Sequence, residues 1–278
     1  MTTDPKPTLS LEDPELVSMI DELSLWSAPF GLALLDAVHY GKHLRVLDIG
    51  SGLGFPIVEL AMRLGETSLL TGIDPWHEGC KRIRQKCDVC GVRNIHVVEG
   101  TAEDMPFADS LFDMIVSNNG INNVEDLGRT LEECGRVLKK GGQFVFTMNT
   151  EKTFIEFYEV LRSALGDAQL KDGDRIISDH IYLKRRPIDE IKRRLNGSGF
   201  KVNSLREDCF SYRFSDGSAM LNHFFIRLAF GESWKKLVPS DIRESVFRKV
   251  ENEINDSAMR TGAFSMQVPF VTVDCERV

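Results

Sequence analysis

Asp48 stands two residues before the first of three alternating glycines in the run Val46-Leu47-Asp48-Ile49-Gly50-Ser51-Gly52-Leu53-Gly54-Phe55-Pro56. Leu44 to Ile49 is apolar enough for a buried strand. Gly50, Gly52 and Gly54 allow backbone angles and close approaches that a Cβ forbids, and Pro56 suits a first helical turn. A glycine turn at the carboxyl end of a parallel strand is where open α/β sheets bind nucleoside ligands. Dinucleotide loops use Gly-x-Gly-x-x-Gly and aim a helix N-terminus at a pyrophosphate. Here the spacing is Gly-x-Gly-x-Gly. A carboxylate beside it repels a pyrophosphate and tolerates a ligand carrying a sulfonium and an ammonium group. A plain strand-to-helix turn is the alternative reading of the glycines alone.

Ser68 to Ile73 predicts a second strand, and Asp74 follows it about twenty residues beyond the last glycine. There a carboxylate can accept hydrogen bonds from ribose hydroxyls, or it caps a helix opened by Pro75. The string Asp48-x-Gly50-x-Gly52-x-Gly54 resembles the first motif of class I S-adenosylmethionine-dependent methyltransferases. Ile95 to Val98 predicts a third strand. The run after it, Glu99-Gly100-Thr101-Ala102-Glu103-Asp104-Met105-Pro106-Phe107, resembles the Gly-Asp-Ala-Glu-Asp-Leu-Pro-Phe segment of that superfamily. The resemblance implies S-adenosyl-L-methionine as cofactor, its adenine facing this segment and the Ala102 main-chain amide on a ring nitrogen. Thr101 stands where the family has an acid, so the acceptor for the exocyclic amine falls to its hydroxyl or to Glu103.

Phe112 to Ser117 predicts a fourth strand, followed by Asn118-Asn119-Gly120-Ile121-Asn122-Asn123. In the family, strand ends at this point border the transferred methyl. DNA and glutamine amino-methyltransferases carry Asn/Asp-Pro-Pro-Tyr there, and this chain does not. Asn118 and Asn119 offer donors and acceptors suited to a substrate or the methionyl amine. The alternative is an asparagine-rich turn that caps a helix from Val124, with Asn123 as N-cap. Val124 to Leu138 predicts that helix, closed by Lys139, Lys140 and Gly141, and Gln143 to Met148 a fifth strand.

Other elements must position these motifs. Pro14 to Leu25 and Gly31 to Tyr40 have helical apolar spacing, with Pro29 breaking the pattern between them. In related methyltransferases such a segment folds over the cofactor, where Trp26 and Phe30 would line the site; ordinary core packing is the alternative. Helices are predicted over Glu151 to Leu165 and Pro187 to Leu195. Strands follow from Phe200 to Leu205, extending toward Phe214, and from Phe264 to Cys275. Pro269 suggests a bulge or an edge position.

The expected fold is α/β: a doubly wound, mostly parallel seven-stranded sheet with an antiparallel last strand, N-terminal helices and a helical insertion between the last two strands. Its domains would be a helical segment over 1–40, the sheet domain over 41–215 and 263–278, and the insertion over 216–262. That insertion holds Asp216 to Arg227, Trp234 and a helix from Pro239 to about Asn255. It reads as a lid over the acceptor pocket or as a helical annex. Asp179 and His180, in a loop before Tyr182, form a second polar cluster. His223 and His180 are the catalytic candidates, because histidine titrates near neutrality and serves as a general base.

The 278-residue chain has a formal net charge of −8, which argues against tracking a phosphate backbone. Lys184-Arg185-Arg186 reads as a solvated start to a helix. No apolar run is long enough for a bilayer, and Met1 to Leu11 is expected to be mobile, with no secretion leader. Cys80, Cys87 and Cys90 fall near one helical face. No second pair completes a zinc site, so no metal is expected, and free thiols fit a cytoplasmic location.

The expected partner is a small molecule, without nucleic acid or membrane, in a monomer or homodimer. The expected activity is methyl transfer to that molecule. The rivals are an NAD-dependent oxidoreductase, disfavoured by Asp48, a cofactor-binding sensor or scaffold, and an RNA or protein methyltransferase.

Overall fold

The computed structural model describes residues 10–22 and 25–278. The mobility expected of Met1 to Leu11 falls for residues 1–9 outside those described, as do residues 23–24 of the first predicted helix, while the Leu11 carbonyl accepts from Trp76 Nε1 at 2.8 Å. Seven strands form one sheet: β1 (Arg45–Ile49), β2 (Leu69–Asp74), β3 (Ile95–Glu99), β4 (Phe112–Asn118), β5 (Leu138–Asn149), β6 (Phe200–Phe214) and β7 (Phe264–Arg277). Their order is β3-β2-β1-β4-β5-β7-β6, with the last strand antiparallel. β1 pairs in parallel with β2 and β4, setting Asp48 opposite Gly72 and Val116. The chain leaves β1 for β2 and then crosses back to β4, so the strand order reverses beside β1. Open α/β sheets bind their ligands at that reversal, beyond the carboxyl ends of the strands.

β1 is buried along all but its first residue, and successive side chains point to opposite faces of the sheet. Val46 packs with residues of α2 (Ser27–Ala37), α3 (Ile57–Leu64) and α4 (His77–Cys90), preceded in the chain by α1 (Pro14–Glu22). Leu47 and Ile49 pack on the other face with α5 (Leu127–Val137). Asp48 therefore points to the α2–α4 side.

The remaining helices are α6 (Ile155–Asp167), α7 (Gly173–Lys184), α8 (Ile188–Gly197), α9 (Gly217–Asn222), α10 (Phe224–Ile226), α11 (Glu232–Lys235) and α12 (Arg243–Thr261), with one π turn over Arg227–Gly231. α12 buries Val246, Val250, Ile254 and Ala258 as a single stripe at four-residue spacing.

Several boundaries depart from the sequence reading. Pro29 lies inside the first turn of α2, where its missing N–H breaks no helical bond. Val124 is extended, and α5 starts behind Asp126, whose Oδ1 accepts the Arg129 N–H at 3.1 Å. Asn123 ends a short 3-10 turn and is not the N-cap. Lys139 and Lys140 belong to β5, since α5 stops at Val137. Asp179 and His180 lie in α7, not in a loop; Ile177 and Ile181, one turn apart, bury its inner stripe. The helix begun near Pro239 in the sequence reading starts at Arg243 and runs on to Thr261. β7 lies between β5 and β6, so Pro269 is not on an edge strand. Cys80 and Cys87 are buried but Cys90 is exposed, so the three cysteines do not share one buried face.

The chain divides into two compact units. The first runs to Met148 and takes in Ile188–Asp208 and Phe270–Val278; the second comprises Asn149–Pro187 and Cys209–Pro269. The second thus holds the 216–262 stretch together with α6 and α7.

Candidate cofactor site

Asp48 is 1 % exposed, and neither of its carboxylate oxygens has a hydrogen-bond partner. Three residues on, the buried Ser51 Oγ is also unpartnered. Burial pushes the Asp48 carboxyl well above the usual range, and the charge of Asp74 pushes it further. The turn between them requires glycine: φ is +71° at Gly50, +50° at Gly52 and +97° at Gly54.

Asp74 ties this turn to β2. Its Oδ2 accepts the Gly52 N–H and its Oδ1 the Trp76 N–H, both at 2.8 Å. Burial raises its pKa, and the N–H groups of Trp76 and Gly52 oppose that rise. Asp74 therefore braces both the glycine turn and the start of α4, and its remaining lone pairs are what a ribose could use.

The opposite side of the turn touches β4. A Cβ on Gly120 would lie 2.6 Å from the Ile49 carbonyl oxygen and 3.2 Å from the Gly50 Cα. The two strand tips meet backbone to backbone, and the Ser117 hydroxyl donates to the Ile49 carbonyl at 2.8 Å. Asn118 is engaged on both ends of its amide: Oδ1 accepts from the Thr147 hydroxyl at 3.1 Å, and Nδ2 donates to the Ser27 carbonyl at 3.2 Å. Asn119 adopts φ +57°, its Oδ1 accepts from Asn122 Nδ2 at 3.0 Å, and its carbonyl accepts from Asn123 Nδ2 at 3.2 Å. These asparagines bind the strand end to itself and to α2.

Between β3 and β4, Thr101 is exposed and Ala102 buried. Glu103 Oε1 accepts the N–H groups of Glu125 at 2.7 Å and Asp126 at 3.2 Å. That oxygen holds the loop before α5, which leaves the Thr101 hydroxyl and the other Glu103 oxygen as acceptors.

Two residues that the sequence reading passed over hold this segment in place. Glu133 Oε2 accepts the Met105 N–H at 2.8 Å, and Arg136 donates to the carbonyls of Phe107 at 2.6 Å and Met105 at 2.9 Å. The Arg136 guanidinium bonded to Glu133 holds that carboxyl below its ordinary value. The only local signal was their i,i+3 spacing on one helix.

The amino-terminal helices grip the same turn. A Cβ on Gly31 would lie 2.0 Å from the Phe55 ring, so glycine at that point of α2 seats the phenylalanine that closes the turn. Phe30 is fully buried against Phe270, with ring centroids 4.7 Å apart, and is core; Trp26 lies half-buried 5.4 Å from it. Asp21 on α1 pairs with Arg82 at 2.8 Å and with Lys86, which also donates to the Leu53 carbonyl at 2.8 Å.

His180 and His223 both lie in the second unit, and no ring contact or hydrogen bond joins them. Burial, with Arg185 and Lys184 adding, lowers His180 to about 4, so it is neutral and weakly basic at pH 7. Burial also lowers His223, which meets the rings of Tyr212 and Phe214 at steep angles, with Nδ1 buried and unpartnered.

Residues 47–146 match the methyltransferase-domain family, and the glycine turn, both aspartates, the 101–107 segment and the asparagine-rich strand end all fall within that stretch. The chain is 35 % identical over 121 residues to the ubiquinone/menaquinone biosynthesis C-methyltransferase of Geotalea daltonii, covering 43 % of this chain and 52 % of that protein. It thus spans about half the length of the curated relatives it matches. In fold it is similar to geranyl diphosphate C-methyltransferase from Streptomyces coelicolor, with a TM-score of 0.56 and 17 % identity over 99 % of this chain and 86 % of that one. It is equally similar to the [4+2]-cyclase SpnF, with a TM-score of 0.58 and 13 % identity over 98 % of each chain. Among the described residues no helix is long and apolar enough to cross a membrane.

Proposed function

We propose that this chain is an S-adenosylmethionine-dependent methyltransferase acting on a small molecule. The observation that carries the reading is the buried, unpartnered carboxylate of Asp48 beside a left-handed glycine turn. A buried carboxylate without a partner is costly, and a ligand with a positive charge relieves it. In this reading Asp74 takes the ribose hydroxyls, the Ala102 amide meets the adenine edge, and Thr101 or Glu103 faces the exocyclic amine. Gly50, Gly52 and Gly54 let the ligand approach the backbone, while Asn118 and Asn119 shape the strand end beside it.

S-adenosylmethionine supplies an electrophilic methyl on a sulfonium, whose sulfur keeps the bonding pair when the methyl is displaced. The protein's part is to align the acceptor and exclude water. An acceptor that must lose a proton needs a base. His223, neutral and with a buried nitrogen that has no hydrogen-bond partner, fits better than His180, whose basicity burial lowers to about 4. The free cysteines support a cytoplasmic setting, and the assembly is proposed as a monomer or homodimer.

A second reading, cofactor binding without methyl transfer, draws on the likeness to a [4+2]-cyclase; fold alone does not fix chemistry. Calorimetry with S-adenosylmethionine, S-adenosylhomocysteine and NAD, followed by turnover of labelled methyl donor over a metabolite panel, separates these readings. Tight sulfonium binding with methylated product supports the proposal. Binding without any product favours the second reading, and preference for NAD defeats both.

A further inference from the structure

Arg185 follows the last turn of α7, its N–H donating to the Ile181 carbonyl at 2.8 Å. The sequence places it in a basic run expected to be solvated, yet it is only 5 % exposed. Its Nη1 is buried without a hydrogen-bond partner, and among the described residues it makes no ion pair. The guanidinium lies over the Phe230 ring, 5.8 Å from the centroid.

That ring belongs to a closed circuit. Phe230 contacts Phe154 at 5.0 Å and Phe225 at 5.8 Å, and Tyr212 contacts both of these, at 6.1 and 6.4 Å. All of these residues belong to the second unit.

A guanidinium held in an interior for structural reasons is expected to have a carboxylate or carbonyl partner, because a ring face offsets only a small part of burying an unpaired charge. Arg185 has the ring and no acceptor. Its flat fork of donors matches a carboxylate or phosphate, and the partly exposed rings of Tyr212, Phe225 and Phe230 supply aromatic edges and faces beside it. We propose that Arg185 and the Phe154–Tyr212–Phe225–Phe230 circuit bind a small aromatic anion, the guanidinium taking the anionic group and the rings the apolar body. This site goes beyond the methyl-transfer reading and does not rest on it.

The test uses the full chain without S-adenosylmethionine and titrates 1-naphthoate and its uncharged analogue 1-naphthamide by calorimetry. Wild type is expected to bind the naphthoate at least about tenfold more tightly. Arg185→Met should remove that preference and leave naphthamide within about twofold, while melting no lower than wild type, since it deletes an unpaired buried charge. Arg185→Lys should keep the preference at reduced affinity. Equal affinity for the two probes in wild type, no binding of either, or an Arg185→Met variant with undiminished naphthoate affinity overturns the proposal. If Arg185→Met does not fold, the wild-type preference decides alone. Because no methyl donor is present, failure here leaves the methyl-transfer reading untouched.

Discussion

At the glycine turn the unmet group is the carboxylate of Asp48; in the second unit it is the guanidinium of Arg185. The first stands beside a set of hydrogen bonds in which the Ile73 carbonyl accepts from Gly50 and the Asp74 carboxylate from Gly52 and Trp76, tying the tips of β1 and β2 together. The second lies over the Phe230 ring, itself in contact with Phe154. Burial without a partner disfavours each charge, so each region is suited to a ligand of opposite sign: a cation at the turn, an anion at the rings. A polar lattice holds its ligand by direction and spacing, whereas a ring cluster holds one by shape and surface. The contrast accounts for why a short motif marks the turn while no motif marks the rings.

The largest effect should come from Asp74→Ala. It removes the proposed ribose acceptor and orphans the N–H groups of Gly52 and Trp76. Cofactor affinity should become unmeasurable by calorimetry, and stability should fall by about 1–3 kcal/mol in denaturant melts. Loss of binding with unchanged stability would show that the turn does not depend on this brace.

Asp48→Asn should separate the two properties. S-adenosylmethionine affinity should drop by roughly tenfold or more, with a smaller loss for the uncharged thioether S-adenosylhomocysteine, yet the protein should melt higher at pH 8. The sign follows from the raised carboxyl. Its stabilising contribution is complete below about pH 4, the unfolded value, and is lost as pH rises through the folded value. Wild type should therefore lose stability towards alkaline pH in a way the variant does not. If Asp48→Asn and Arg185→Met weaken the same ligand, the division of the molecule by charge is wrong.

Glu133→Gln should act at the other end of the pH scale. Its carboxyl is depressed by Arg136, so its contribution is present above about pH 4.3 and disappears as pH falls through the folded value. Hydrogen exchange should accelerate at Met105 and its neighbours, where an N–H loses a charged acceptor. His180→Asn should do least: a side chain already neutral at pH 7 can be replaced with less than about twofold change in turnover, whereas His223→Asn should cut turnover of a proton-losing acceptor by roughly a hundredfold.

Much of the sheet was legible because its signals are local. Apolar runs ending at Ile49, Asp74 and Asn118 mark strands by composition, and alternate glycines mark a turn only glycine can make. Element ends were less so. Asn123 looked like a cap because asparagine can cap, but Val124 is extended and Asp126 performs that function. Lys139 and Lys140 have the chemistry of a helix end but extend β5 instead.

The unread parts of the site depend on distant partners. Glu103 is committed to Glu125 and Asp126, Glu133 reaches back to Met105, and Arg185 lies over the Phe230 ring of a distant element. No window of sequence contains both ends of these contacts, so residue type alone cannot assign them.

The seat that Gly31 makes for Phe55 has an optical consequence. Helix α2 is fastened to the glycine turn there and to β4 through Asn118, and it begins beside Trp26. Any adjustment of the turn around an incoming ligand is thus passed mechanically to an indole. The emission of Trp26 should change on cofactor addition, and a Gly31→Ala variant, which unseats the phenylalanine, should uncouple that built-in fluorescent reporter.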